Sequence, residues 1–577
     1  MTLREDEMAF EPEKLPREFP RRFVPQRVDL SDWSQIQPLF TALEQRPIQT
    51  PDALEKWLLD WSELSAVLQE ERNIRHIRMT CQTDDPERER AYLHFVEKIE
   101  PHVKQCQYRL QAHYVQSPAR QLLPRERYAV LDRRYENAVQ LFRDENIPLE
   151  TQTTKLAQKY QKLTGGLTVH FDGREQTLIQ MQKYLENPDR AQRQKAWELV
   201  AERRLREREA LNQIYDELLQ LRGQIARNAG FANFRDYAFR ALERFDYTPE
   251  DSFAYHEAVE RWIIPLLRDL QEERRRKMKL DALRPWDLAV DPENKPPLKP
   301  FATIPEFTQG CATIFERIDA ELAAQFRNLI EFDLLDLENR KGKAPGGYQS
   351  SLTEHRLPFI FMNAVGLERD VRTLLHEAGH AFHAMAARHE PLLTYRRGPM
   401  EFNEVASMSL ELFSAPHLEV FYGPEDAGRA RRDHLEGIVA LFAWIATIDA
   451  FQHWIYTYPD HTRDAREEYW LALRRRFGGI ESWQGYEEAR RSEWHRQLHL
   501  FTAPFYYIEY GIAQLGALGL WEQSRKDARA AINAYRQALA LGGSRPLPEL
   551  FAAAGLPFDF GPKTVSRLAG VLRAELL

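Results

Sequence analysis

The chain has 577 residues and a mass of 67.8 kDa, past the size at which one hydrophobic core keeps growing, so two or more lobes are expected. With 43% apolar and 29% charged residues it has the make-up of an ordinary globular protein, neither disordered nor membranous. Its net charge, −8 from 79 basic and 87 acidic residues, offers no polyanion-binding face and argues against nucleic acid as a partner.

The opening MTLREDEMAFEPEKLPREFPRR is charged and broken by proline, and lacks the apolar core of a secretory signal. From Thr50 to Phe142 the pattern is that of amphipathic helices, interrupted around Pro86, Pro101, Pro118 and Pro124. Gly165 to Gly173, GGLTVHFDG, places a short β-favouring run between turn residues and marks a passage between lobes. We draw the boundary there, giving an N-terminal helical lobe over 1–165 and a catalytic region over 166–577. The stretch from Asp189 to Ala226 has the pattern of a helical lobe, with apolar residues such as Trp197, Leu211, Ile214 and Leu218 among many charges. Pro285 to Pro300, PWDLAVDPENKPPLKP, reads as an extended connection. Cys81, Cys106 and Cys311 are widely spaced and odd in number, which fits neither a disulfide framework nor a thiolate zinc site.

Pro358 to Val365 is a β-favouring run just upstream of Val371-Arg-Thr-Leu-Leu-His-Glu-Ala-Gly-His-Ala-Phe-His383. That second segment contains H-E-x-x-H. On a helix His376 and His380 share one face, so two imidazoles can reach one ion, while Glu377 is offset and can serve a metal-bound water without ligating. Catalytic zinc takes three protein ligands and keeps one open position. A second helix over Met400 to Phe413 presents Glu404, Ser407 or Met408, and Glu411 on one face. Glu411 is a candidate acceptor behind a liganding imidazole, with Asp370 and Ser407 as alternatives. His383, seven residues past His376, lies on the same face as a cleft or structural residue. Farther on, Ile438 to Ala446 is the longest apolar run and is too short to cross a bilayer. A cytoplasmic protein with no membrane partner is expected. Near the end, Pro504 can open a helix on which Tyr507 and Tyr510 share a face, with Tyr506 pointing elsewhere as packing.

The H-E-x-x-H followed by E-V-A-S, together with LRPWDL, GKAPGGY, PFIFMN and FYYIEY in that part of the chain, resembles the thimet oligopeptidase and oligoendopeptidase F family of zinc metallopeptidases. RNAGFANFRDY at Arg227 to Tyr237 extends the match upstream, and the ending HLFTAPFYYIEYGIAQ is most similar to the Pz-peptidase branch. The resemblance implies a mainly α fold, two helical lobes around a deep substrate channel, with a small β-sheet beside the H-E-x-x-H helix. It implies one Zn2+ per chain held by His376, His380 and Glu404, with Glu377 as general base. It places His499, Tyr507 and Tyr510 across the cleft, with Tyr510 polarising the scissile carbonyl. The 358–365 strand is expected to be the edge on which substrate lies, with Gly346, Gly347, Tyr348, Phe361 and Asn363 lining it. The implied function is endopeptidase cleavage of short oligopeptides by a Glu-activated, zinc-bound water. The alternatives are a peptidyl-dipeptidase or carboxypeptidase, which needs a fixed cation such as Arg372, Arg396 or Arg397, and an inactive peptide-binding relative.

Overall fold

The computed structural model describes residues 11–340 and 342–577. The first ten residues of the charged opening thus lie outside the described residues. The protein is mainly α, with a two-stranded hairpin and one three-stranded sheet among the described residues. Ten helices matter below: α1 (Pro51–Cys81), α2 (Asn146–Gly165), α3 (Arg208–Asn228), α4 (Glu368–Ala386), α5 (Met400–Ser414), α6 (Pro424–Thr457), α7 (Arg463–Phe477), α8 (Leu498–Thr502), α9 (Tyr507–Ser524) and α10 (Ala528–Ala540).

Prolines set several helix starts, and one of them departs from expectation. Pro51 and Pro86 open their helices, where a missing N–H costs nothing. Pro101 does not break the chain. The helix beginning at Pro86 continues to Gln116 through a π-helical turn over Phe95–Ile99, which ends two residues before the proline. A second π turn, Val259–Ile263, precedes Pro265 in the same way. A widened turn spares the carbonyl that a proline ring would strike, so the helix passes through.

The helical stretch Asp189 to Ala226 forms two helices, Arg190–Leu205 and α3. Between Glu202 and Glu209 the only apolar side chain is Leu205, so no apolar stripe holds the helix through the turn at Arg206 and Glu207. GGLTVHFDG forms β1 (Thr168–Phe171), which pairs antiparallel with β2 (Arg174–Thr177). Asp172 and Gly173 both take positive φ, 55° and 73°, as a tight two-residue hairpin turn demands.

Contacts divide the chain into two compact units, each assembled from three stretches. The first takes the chain up to Val139, Phe301–Val420 and Leu520–Gly555; the second takes Gln140–Pro300, Phe421–Gly519 and Leu556–Leu577. This division is discontinuous, unlike the single boundary near residue 165 drawn from the sequence. In the first unit Phe40, Leu54, Trp57, Leu110, Leu131 and Tyr395 build one continuous core, and the Trp57 indole donates to Leu43 O at 2.9 Å. In the second, α6 has the length and apolarity of a membrane span, yet 78% of its apolar 18-residue window is buried within the protein, as in a core helix. The apolar run Ile438 to Ala446 is only its middle. All three cysteines are free and buried.

The three-stranded sheet lies in the first unit, in the order β3 (Leu335–Glu338), β5 (Leu357–Ala364), β4 (Tyr348–Leu352). The strand expected at the edge is therefore the central one. β5 pairs parallel with β3 on one side and antiparallel with β4 on the other. Its residues are almost all buried, the continuous apolar reading of a strand covered on both faces. The two edges are β3 and β4.

Candidate metal centre and its surroundings

α4 starts where Asp370 gathers the N–H groups of Val365, Gly366 and Leu367 at 2.8, 2.9 and 2.9 Å. Asp370 is thus an N-terminal cap, and not the partner of a liganding imidazole that the sequence allowed. Val371, Leu374, Leu375, Ala378 and Phe382 bury one side of the helix. His376 and His380 then emerge together, one turn apart.

Glu404 of α5 meets them both. Its Oε2 lies 3.3 Å from His376 Nε2 and 3.5 Å from His380 Nε2, and it accepts from the Ser407 hydroxyl at 3.0 Å. Ser407 therefore steadies the carboxylate, not a histidine. Glu411 Oε1 is 2.8 Å from His376 Nδ1, which leaves Nε2 of that ring with its lone pair toward Glu404. His380 is held by a hydrogen bond to the Asn403 backbone. Two lone pairs facing each other at such distances require a cation between them, either a proton or a metal ion. Burial opposes protonation of His376, yet Glu404 and Glu411 outweigh it and hold the ring well above its ordinary pKa. Among the described residues, His376, His380 and Glu404 are the only group of three or more His, Cys, Asp or Glu whose ligand atoms all lie within 4.8 Å. The histidine side chains keep 20% and 17% exposure while Glu404 keeps 2%, so the triad is open on one side. The donor set fits Zn2+.

Glu377 is buried beside this group. Burial lifts its carboxyl to about 7, aided by Glu404 and opposed by His376 and a backbone hydrogen bond from Gln349. Its Oε2 makes no hydrogen bond within the described protein. A bound cation would draw the pKa down again. His383, by contrast, lies off the triad, buried against Gly398 and Phe402, where burial lowers its pKa to about 3.

Gly379, inside the H-E-x-x-H, was not singled out by the sequence reading. A Cβ there would stand 2.5 Å from Ser407 Cα, 2.7 Å from Ala406 O and 2.9 Å from Ser407 N. These are backbone atoms, so α4 and α5 touch at this point because the residue has no side chain. On its far side Ala406 O accepts from Tyr535 of α10 at 2.8 Å, which limits any retreat of α5. Gly379→Ala is expected to destabilise the protein by about 1 to 3 kcal/mol and to displace Glu404 from the histidines. Thermal unfolding with metal analysis checks this; wild-type melting temperature together with wild-type metal content would refute it.

Gly346 and Gly347 precede β4. Gly346 has φ +99°, and a Cβ on Gly347 would meet Thr373 Cγ2 at 3.3 Å and Glu377 Oε1 at 3.6 Å. The backbone thus runs directly against the Glu377 carboxylate. Tyr348 stacks on Phe361 at 4.7 Å and bonds Thr80 of α1 through its hydroxyl at 2.6 Å. Asn363 donates to Ala344 O and Gly346 O at 2.9 and 2.8 Å. Phe361 and Asn363 therefore hold the 344–348 loop from the central strand and do not themselves form an edge.

His499, Tyr506, Tyr507 and Tyr510 belong to the second unit. The helix carrying the tyrosines starts at Tyr507, three residues later than Pro504 suggested. Pro504 to Tyr506 form a turn in which buried Phe505 takes φ +65°, a strained state for a bulky residue. Gln452 accepts the Phe505 N–H at 2.6 Å, and Arg244 donates to its carbonyl while pairing with Glu509 at 2.9 Å. Arg222 donates to Leu500 O and Phe501 O at 2.9 and 2.6 Å, closing the end of α8, which carries His499. The three tyrosine rings all surround His499, at 5.3, 5.1 and 5.6 Å in chain order. Tyr506, set aside as packing in the sequence reading, is part of this group. Tyr510 Oη lies 3.3 Å from His499 Nε2. The Tyr507 hydroxyl is buried, which raises its pKa to about 12, and it bonds Trp444 and Gln497.

Peptidase family M3 matches over residues 183–560, and the Peptidase M3 N-terminal domain over 23–142. The chain belongs to peptidase family M3. It is 24% identical to the oligoendopeptidase F homolog of Borreliella burgdorferi over 303 residues, half of this chain and 49% of that protein. It is likewise 24% identical to oligopeptidase PepF of Bacillus subtilis over 298 residues, 51% of this chain and 44% of that one. The chain thus spans about half the length of these curated relatives. The solved structure of PZ peptidase A with inhibitor 2 is 30% identical, with a TM-score of 0.92 over 96% of this chain and 99% of that one. The oligoendopeptidase-F of Enterococcus faecium shares the fold at 14% identity, with a TM-score of 0.61 over 94% of this chain and 96% of that one.

Proposed function

We propose that this chain is a zinc-dependent oligoendopeptidase that hydrolyses internal bonds of short peptides. The observation that carries this reading is the convergence of His376, His380 and Glu404 beside buried Glu377, within a chain of family M3. The names of the similar proteins, an oligoendopeptidase and an oligopeptidase, support peptides as substrates.

His376, His380 and Glu404 would hold the ion. Zn2+ there supplies Lewis acidity, which makes water acidic enough to be deprotonated near neutral pH and polarises a carbonyl. Glu377 takes the proton of the attacking water and returns it to the leaving amine. Gly347 leaves the path to that carboxylate clear of side chains. The outer edge of β4 offers backbone groups to an extended peptide, which adds itself as a further strand. Tyr510 donates to the carbonyl oxygen as negative charge develops. Cytoplasmic peptide turnover and a channel that admits only narrow chains belong to the same reading.

The peptidyl-dipeptidase and carboxypeptidase alternative draws less support. Arg372 is paired with Glu368 at 2.8 Å, and Arg396 is spent on the carbonyls of Glu390, Thr353 and Pro391, which leaves Arg397, near enough to His380 to act on its charge, as the cation that alternative would use. Mass spectrometry of a mixed peptide digest tests the proposal. Peptides of roughly five to twenty residues should be cut at internal bonds and folded proteins spared. A chelator should stop cleavage and added Zn2+ restore it. Cleavage indifferent to chelation sinks the metal assignment, and release of C-terminal dipeptides or single residues alone sinks the endopeptidase assignment.

A further inference from the structure

Behind His499 stands a pair of side chains that the sequence motifs do not touch. Trp444 of α6 donates its indole N–H to Gln497 Oε1 at 2.8 Å. An indole nitrogen can only donate, so this bond fixes which end of the amide faces it. The opposite end, the Gln497 NH2, is then directed at His499 Nδ1, 2.7 Å away. An amide NH2 has no lone pair to offer, so Nδ1 must be the acceptor and carries no proton. The neutral ring therefore holds its hydrogen on Nε2, which faces Tyr510 Oη at 3.3 Å.

We propose that Gln497, oriented by Trp444, is a positioning residue that locks His499 in the Nε2–H tautomer, so that His499 donates to the Tyr510 hydroxyl and turns the Tyr510 proton outward. This rests on the proposed role of Tyr510 as donor to the scissile carbonyl. A phenol that accepts one hydrogen bond donates a stronger second one. The lock also disfavours a second proton on the ring, because Nδ1–H would point at the amide hydrogens. Gln497 is buried and precedes α8 directly, so the amide is held by the fold and is not a solvent-borne contact.

His499 sits among aromatic side chains. Tyr506, Tyr507 and Tyr510 ring it from the turn and from α9. Arg496 and, from α7, Arg474 lie over the Trp444 indole at 4.6 and 5.3 Å. Arg222 of α3 closes α8, and Tyr160 of α2 stacks on Phe501 at 4.0 Å.

The test uses the full chain loaded with zinc, labelled with 15N-histidine. His499→Gln identifies the His499 signals among the 17 histidines. The wild type should show the Nε2–H pattern. Gln497→Glu replaces the donor with an acceptor, and should move the proton to Nδ1 and raise the proton affinity of His499 by about ten-fold or more. Gln497→Met removes the donor at nearly equal size and should abolish the tautomer preference. Trp444→Phe releases the amide to turn and should weaken the preference part-way. With a cleaved peptide, kcat should fall in Gln497→Met and Gln497→Glu while KM holds, and the acidic limb of the pH profile should move upward in Gln497→Glu alone. A wild-type Nδ1–H pattern, or an unchanged His499 tautomer in both Gln497 variants, overturns the proposal. If Gln497→Glu fails to fold, Gln497→Met decides by the same signals. A wild type that shows the Nε2–H pattern but cleaves no peptide overturns the peptidase reading and leaves the lock standing.

Discussion

Glu377→Gln is expected to lower kcat by about 10² to 10⁴ while the protein keeps its metal. The carboxyl sits beside His376, His380 and Glu404 without joining them, and its amide replacement has nearly the same size, so metal content and fold should not depend on its charge. What it loses is the ability to accept a proton. Glu404→Ala is expected to fail differently. It removes an oxygen that lies within 3.5 Å of both imidazoles, leaving two ligands where a catalytic zinc site uses three. Metal should then be lost on dialysis, and activity with it. Metal analysis and steady-state rates on both variants give the answer together. Equal zinc in the two proteins would remove Glu404 from the ligand set, and normal turnover by Glu377→Gln would remove the general base.

Tyr510→Phe is expected to lower kcat by about 10² to 10³, roughly 3 to 4 kcal/mol, with little change in KM. A phenol aimed at a developing oxyanion interacts more strongly with the transition state than with bound substrate, so its loss falls on turnover and not on binding. The half-buried Tyr510, with His499 behind its oxygen, fits that task better than Tyr507, whose hydroxyl is buried against Trp444 and Gln497. Phenylalanine keeps the ring, so folding should hardly change. Tyr506→Phe and Tyr507→Phe are the necessary companions, because all three rings surround His499. A turnover defect confined to Tyr507→Phe moves the donor one turn back along the helix. A fall in melting temperature with normal turnover in Tyr510→Phe makes that residue structural.

The sequence by itself determined the features that depend on neighbours along the chain. Helical periodicity put His376 and His380 on one face and Glu377 beside them, and it produced the following helix with its row of Glu404, Ser407 and Glu411. These positions are three or four apart, a distance fixed by the helix whatever it packs against. The turn residues Asp172 and Gly173 after the β-favouring run were legible for the same reason, but the hairpin they close was not. Tertiary structure decided the rest. Glu404, and not Glu411, reaches both Nε2 atoms because Gly379 lets α5 approach α4 backbone to backbone, which fixes the rotation of one helix against its neighbour. The 358–365 run was legible as a strand, but its place in the sheet was not, since an apolar strand is compatible with any buried position until its partners on each side are known. The start of α9 moved past Pro504 because Gln452 and Arg244, far off in sequence, hold Phe505 in a conformation that no local preference favours. Trp444 and Gln497 are 53 residues apart, and the amide orientation they impose on His499 exists only once α6 and the turn before α8 are packed together.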